Sequence, residues 1–265
     1  MSALGAVALG FSGPTLLLRT TPGVHGVMRG VKMALPRSIQ PRPVFLSRGV
    51  CGVLVANETM SCDRAILEAV NAARRSEPLE AISANFSLAA YAALTPAEQI
   101  FAIADIERTS RGLPAMTGLT AQLDEMAAAG VRGQTDPTIE LPLRIAGGGM
   151  ATTFGSNFAE GTANALGADY FWMYDDGARS PNASCTPHSR DLCWAHRRNI
   201  LGDYESPRYC APGSQDHLLM GAAEATSGVA LSPAVSEVFV NDCGSMPSDL
   251  VFTWTDVLRR VFGQR

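Results

Sequence analysis

The sequence predicts a layered α+β domain in which helices come first and an antiparallel sheet comes late. Apolar residues recur at helical spacing between about residues 63 and 174, whereas short apolar runs follow from residue 217 onward. The chain has 265 residues, 46% of them hydrophobic, which is enough to bury one sizeable core. Helices followed by a run of strands favour the α+β class.

The N-terminal region, residues 1–50, is predicted to be a leader or a loosely ordered extension. It has several prolines and no sustained hydrophobic period. Its apolar stretches, residues 3–9 and 16–18, resemble a weak export signal, but no basic residue precedes them and a Gly- and Pro-containing segment separates them. They are too broken to span a membrane, and no other stretch is long enough. Residues 51–265 then form a single domain.

Three helices are predicted in the first half of this domain. Residues 63–75 carry apolar side chains at helical spacing. The run Thr95-Pro96-Ala97-Glu98 is a capping box with proline at the first helical position, and Gly112 supplies a left-handed stop. A third helix runs from about Thr120 to Gly130.

The second half is predicted to change from helix to strand. A fourth helix covers about residues 162–174 and ends near Gly177. Its aromatic residues are expected to pack into the core, with some free to line an apolar groove. Residues 217–223, 234–241 and 251–254 are predicted strands, and residues 256–262 a terminal helix.

The charge balance argues against nucleic acid as a partner. The net charge is −4 and the pI is about 5.6, so no basic face is implied.

The six cysteines indicate an oxidising compartment. Their number is even and none forms a C-x-x-C pair, which is typical of disulfides in a secreted protein. Six cysteines permit many connectivities, and reduced buried thiols are the alternative. Pairing between neighbours in sequence would join Cys51 to Cys62, Cys185 to Cys193 and Cys210 to Cys243.

A run of reactive side chains near residue 195 admits three interpretations, because Cys193, Trp194 and His196 stand within four positions. As a nucleophile, Cys193 would be similar to the cysteine of papain-like proteases, but that cysteine lies early and opens a long helix. As a zinc site, Cys185, Cys193 and His196, with His188 as a further candidate ligand, match no familiar ligand spacing. The third interpretation is a histidine held at a cleft by a disulfide.

Four segments in order resemble the signatures of the CAP superfamily (cysteine-rich secretory proteins, antigen 5 and pathogenesis-related proteins). Residues 194–201 are similar to the family's "G-H-R-x-N-I-L", and residues 155–161 to its "G-E-N-I-A-x-G". Residues 168–177 resemble "W-M-x-S-x-G", and residues 106–113 resemble "N-x-x-R-x-x-x-G-L". The resemblance spans about residues 95–261 and is nearest to an actinobacterial group of the superfamily.

The resemblance implies a three-layer α-β-α sandwich with an antiparallel sheet. It also implies a cleft that gathers two histidines and two acids able to hold a divalent ion. His196 matches one family histidine, the segment 127–136 lacks the other, and Ser156 stands where the family has glutamate. Glu160 is expected to replace that glutamate in space. The predicted cleft residues are His196, Glu160, Ser156, Asp175, Asp176, Arg197 and Asn199.

Because His196 is the one family-type ligand, a metal site is only weakly supported, and no cofactor is firmly implied. Arg197 is expected to form a structural ion pair and Asn199 to fix a loop. The chain is therefore expected to be a secreted binding module whose partner is a small apolar ligand or a cell-envelope component. The alternatives are a protease-like or metal-assisted hydrolase, with His196 and Glu160 as candidate catalytic residues, and a purely structural surface domain.

Overall fold

The computed structural model describes residues 51, 59–77, 79–82, 85–175, 194–202, 210 and 215–264. The predictions for residues 1–50, for Asp176 and for a bridge between Cys185 and Cys193 concern residues outside these ranges. None of the helices within them combines the length and the hydropathy that a transmembrane span requires.

The described part of the chain is α+β, as the sequence predicts, with a seven-stranded sheet. Its long central pair is antiparallel and consists of β5 and β6, which confirms the strands predicted at residues 217–223 and 234–241. The strand order is β2-β3-β6-β5-β1-β7, and β4 lies beside β6 along the same edge as β3. The strands are β1 (Gly118–Thr120), β2 (Leu143–Arg144), β3 (Met150–Ala151), β4 (Phe154–Glu160), β5 (Asp216–Ala225), β6 (Ala234–Cys243) and β7 (Leu250–Thr253).

The expectation of a purely antiparallel sheet is wrong, because the sheet is mixed. Strand β1 pairs parallel to β5, with Gly118 opposite Leu219, and antiparallel to β7 on its other side. Strand β1 lies in the helical half of the chain and is separated from β5 by several helices and strands. The two strands are therefore not joined by a hairpin, and no short turn forces an antiparallel direction on them.

Seven α-helices surround this sheet in the described ranges, and the capping box predicted at Thr95 is confirmed. The third predicted helix continues past Gly130, because Gln134 rather than a glycine adopts the left-handed conformation that ends it. Gly112 has the positive φ expected of it. The helices are α1 (Thr59–Arg75), α2 (Leu88–Ala92), α3 (Pro96–Thr109), α4 (Ala121–Gly133), α5 (Ala165–Tyr170), α6 (Ala195–Ile200) and α7 (Trp254–Arg260).

The fourth predicted helix is shorter and more irregular than its periodicity suggests. Asn164 caps it by accepting the N–H of Gly167, so α5 begins at Ala165, and a π-helical turn, Phe171–Asp175, follows it. All the aromatic residues of this segment are buried, and none lines an exposed groove. A helix that is apolar all round is an interior helix, so the argument from a single apolar face does not apply.

The two faces of the sheet carry different helices. Leu218, Met220 and Ala222 of β5 belong to the largest apolar cluster, together with residues of α1, α3 and α5. Leu219, which points to the other face, packs in a second cluster with Leu123 of α4.

Two of the three disulfides that neighbour pairing would give are present. Cys51 is joined to Cys62 in α1, and Cys210 is joined to Cys243 at the end of β6. Described cysteines therefore carry no free thiol.

Candidate functional site

The described parts of the four segments that resemble family signatures come together around β4 and α6. This strand pairs with β6, and the short helix α6 covers its other edge. The side chain of Asn199 donates to the backbone oxygen of Ser156 at 2.7 Å and to Oδ1 of Asn157 at 2.8 Å. The sequence prediction that Asn199 fixes a loop is refined: it ties a helix to a strand edge whose carbonyls would otherwise lack partners.

His196 lies at this edge and faces a carboxylate that sequence reasoning missed. Its Nε2 is 3.8 Å from Oδ1 of Asp136, and His196 is only 6% exposed. Its own carbonyl accepts a hydrogen bond from Asn157 at 3.0 Å, and the ring of Phe171 lies 6.4 Å from the imidazole. The backbone of His196 is thus tied to β4.

Asp136 follows α4, in the segment where the resemblance implies a second histidine. Ser156 holds this segment in place, since its hydroxyl donates to the carbonyl of Pro137 at 2.7 Å. The signal in the sequence is the Asp136-Pro137 pair just after the predicted third helix.

A strained backbone conformation precedes His196. Trp194 stands at the start of α6 with φ 59° and ψ 38°, a left-handed conformation that is costly for a bulky residue. Its indole is buried, which supplies packing energy to offset that strain. The turn sets the direction in which α6 leaves and therefore where the imidazole points.

Arg197 is an internal ion-pair residue rather than a cleft residue. Its guanidinium binds both carboxylate oxygens of Glu77, at 2.8 and 2.6 Å, and the carbonyl of Met173 at 2.9 Å. The same Glu77 also pairs with Arg111 at 3.0 Å. The expectation of a structural ion pair is confirmed, and Arg197 is too buried to be a lining residue of an open cleft.

A second buried carboxylate continues this network. Glu107 pairs with Arg74 at 2.9 Å and with Arg111, and it accepts the hydroxyl of Tyr174 at 2.8 Å. Burial alone would raise the pKa of Glu107, but Arg111 and Arg74 outweigh it and lower that pKa. Glu107 therefore stays ionised inside the protein.

Two other buried carboxyl groups, Glu237 in β6 and Asp169 in α5, have raised rather than lowered pKa values. Glu237 is 1% exposed and accepts a hydrogen bond from Asn157 at 2.6 Å, yet burial raises its pKa well above the usual range. Asp169 is equally buried, and its oxygens have no hydrogen-bond partner among the described residues. Burial and the nearby Glu107 raise the pKa of Asp169. Burial therefore favours the neutral form of both carboxyl groups.

The remaining predicted cleft residues of the described ranges, Glu160 and Asp175, are both buried. Glu160 ends β4 opposite Ala234, is buried, and leaves Oε2 without a partner in the described ranges. Asp175 is buried at the end of the π-helical turn.

A metal ion at His196 would have two candidate ligands from the described residues, the imidazole and Asp136. No third imidazole, thiolate or carboxylate of the described ranges comes close enough to complete a set. Zinc sites need three or four protein ligands, so this pair alone does not fit one.

A separate cavity of about 480 Å³ lies between α1, α3 and α7. Both apolar and polar side chains line it. The apolar ones include Leu79, Ile82, Ile106, Trp254, Leu258 and Phe262, and the polar ones include Glu80, Thr109, Ser110 and Gln264. Sequence reasoning missed it, because its walls come from three helices distant in the chain.

Comparison of the chain with protein-family models, with curated proteins and with solved structures finds no significant match.

Proposed function

We propose that this chain is a secreted domain of the CAP type that acts as an extracellular binding module, with a small apolar ligand or a cell-envelope component as its partner. The four signature-like segments support this proposal because they are hydrogen-bonded to one another across long stretches of sequence. Arg108, from the segment 106–113, donates to the carbonyls of Ile200 and Gly202. Trp172, from the segment 168–177, donates to the carbonyl of Phe158 in the segment 155–161. Helices on both faces of the sheet agree with a three-layer α-β-α sandwich.

A binding role is supported by the structural hydrogen bonds that most of the polar residues of the predicted cleft make. The hydroxyl of Ser156, the guanidinium of Arg197 and the amide of Asn199 are each engaged in hydrogen bonds that hold the fold. The His196–Asp136 pair lies at the same strand edge, with 3.8 Å between Nε2 and Oδ1. An imidazole oriented by a carboxylate is suited to bind a polar group of a ligand.

The test is co-sedimentation of the full chain with purified peptidoglycan and with lipid vesicles. We expect His196→Gln to weaken the binding of the wild-type chain about tenfold, the effect of losing one hydrogen bond to a charged group. Arg132→Gln is the matched control, because Arg132 lies on the surface in an exposed pair with Glu125. The proposal is wrong if neither material binds, or if both variants bind equally.

The cavity between α1, α3 and α7 supports an apolar ligand. We expect Ala81→Trp, which fills the mouth of the cavity, to weaken binding of a fluorescent fatty acid about tenfold. Ala129→Trp adds the same ring to an exposed position on α4 and serves as the control. Equal affinities of the two variants would exclude this cavity as the apolar site.

A hydrolase is the second candidate, and the 3.8 Å approach of Asp136 to His196 favours it. A carboxylate that orients an imidazole can make the imidazole a general base toward water. We expect His196→Ala to abolish ester or peptide hydrolysis while the circular dichroism spectrum stays unchanged. Equal rates in both proteins, or no hydrolysis in the wild type, would remove this candidate.

A further inference from the structure

We propose that Cys210, Asp216 and Cys243 bind a zinc ion when the disulfide between the two cysteines is reduced. This inference is independent of the function proposed above. One possible ligand atom from each of the three residues lies within 4.8 Å of the others. Asp216 and Cys243 stand directly opposite each other on β5 and β6, so both side chains project from the same face.

The donor set and the spacing suit zinc. Zinc binds thiolate sulfur at about 2.3 Å and carboxylate oxygen at about 2.1 Å in tetrahedral geometry, which puts two sulfurs about 3.8 Å apart. The Cα atoms of Cys210 and Cys243 are 5.3 Å apart, so rotation of the two side chains reaches that separation without moving the strand. Water completes a site of two sulfurs and one oxygen.

Asn241 supplies the surroundings that a thiolate site needs. Its Nδ2 lies 3.2 Å from the sulfur of Cys243 and 3.5 Å from that of Cys210. The side chain is held in this direction because its Oδ1 accepts the N–H groups of Thr152 at 3.1 Å and Thr153 at 2.8 Å. Donors that point at ligand sulfurs orient them and stabilise their negative charge.

The site is closed in the oxidised chain, since neither sulfur of a disulfide is a thiolate. A dithiol reductant opens it: the S–S bond breaks, the two cysteines gain two electrons and two protons, and the dithiol becomes a cyclic disulfide. Zinc binding then displaces the two thiol protons. All three ligands are half-buried, so reductant and ion can reach them.

The experiment uses the full chain, reduced with dithiothreitol, freed of reductant without oxygen, and titrated with Co²⁺ and then Zn²⁺. The other cysteines are reduced as well, so a Cys210→Ser/Cys243→Ser double variant gives the background. We expect the wild type to bind one more equivalent of metal ion than the double variant. In the wild type, the added Co²⁺ should give a sulfur-to-cobalt charge-transfer band. Zinc should also raise the melting temperature of the reduced wild type, and not that of the double variant.

Asp216→Asn tests the oxygen ligand, with Glu125→Gln as an exposed control. We expect Asp216→Asn to weaken zinc binding about tenfold or more, because even residues behind the ligands contribute that much. The inference is overturned if the double variant binds as many equivalents as the wild type, or if Asp216→Asn and the control bind zinc alike.

Discussion

At the scale of single residues, Asp105 shows how burial changes the charge of a side chain. It lies in α3, fully buried, and its Oδ1 accepts the N–H of Met116 at 2.7 Å. Burial raises the pKa of Asp105 from 3.8 to about 8, against the opposing effects of that hydrogen bond and of Arg108. The carboxyl group is therefore protonated in the folded chain at neutral pH and ionised in the unfolded chain.

This difference predicts a pH dependence of stability. The folded chain binds the proton of Asp105 more tightly than the unfolded chain does. The stability that this proton contributes is fully present below pH 3.8 and is lost as the pH rises toward 8. Asp105→Asn keeps the acceptor for Met116 and cannot ionise. We expect the free energy of unfolding in urea to fall less between about pH 5 and about pH 9 in this variant than in the wild type. Parallel losses in the two proteins would contradict the assignment.

Arg108 joins distant parts of the chain through main-chain oxygens. Its guanidinium donates to the carbonyls of Pro114 at 3.1 Å, Ile200 at 2.9 Å and Gly202 at 2.8 Å. Arg108→Met leaves these buried acceptors without this donor. We expect it to lower the free energy of unfolding by about 3 kcal/mol or more.

The measurement is urea denaturation, with Arg108→Lys for comparison. Lysine keeps the charge but cannot span three acceptors with a planar group, so we expect an intermediate loss. A loss below about 0.5 kcal/mol in Arg108→Met, the range of ordinary surface substitutions, would show that these bonds contribute little.

At the scale of elements, the packing of α4 on the sheet depends on Gly221 in β5. A methyl group there would lie 2.0 Å from the backbone carbon of Leu123, which only glycine avoids. Gly221→Ala must push the helix away, and we expect it to cost about 2 kcal/mol or more. Thermal unfolding measures the effect.

Gly167→Ala, in α5, is the matched control. A methyl group at Gly167 meets its nearest neighbours at 3.5 Å, an ordinary contact, and alanine favours a helix. We expect an unchanged or higher melting temperature for this variant. Similar losses in Gly167→Ala and Gly221→Ala would contradict the argument from close approach.

Helices and strands that are marked by a pattern of neighbouring residues were predictable from the sequence. The strand and the helix at the edge of the sheet, β4 and α6, were not. The capping box at Thr95 and the apolar runs of β5 and β6 depend on neighbouring residues, and the structure confirms the predicted elements. The strand Phe154–Glu160 and the helix Ala195–Ile200 were recognisable only as motifs. The strand takes its backbone partners from β6, and side-chain hydrogen bonds from Asn199 and Asn157 tie the helix to it.

At the scale of the whole molecule, the bridge between Cys210 and Cys243 closes a loop with a sequence separation of 33. Loop-closure entropy predicts that it stabilises the fold by about 4 kcal/mol. We expect Cys210→Ser/Cys243→Ser to lower the free energy of unfolding by about that much under oxidising conditions. A loss below about 1 kcal/mol would mean that the folded chain gains little from this bridge.

The sequence predicts one member of the candidate site, His196, but not the partner that faces it. His196 stands in a recognisable motif, but its partner Asp136 lies 60 positions earlier, after a helix on the other side of β4. Arg197 finds Glu77 over an even longer separation. Pairings of this kind are set by how layers fold over a strand edge, and no local pattern encodes them.

The order of strands has a consequence for the chain as it is synthesised. The central strands β5 and β6 begin only at Asp216, so a nascent chain that ends earlier holds helices and short edge strands without the pair that joins them. Helices can form as they emerge, but their apolar faces stay uncovered until these two strands arrive. The core of this domain therefore cannot close before β5 and β6 have been synthesised.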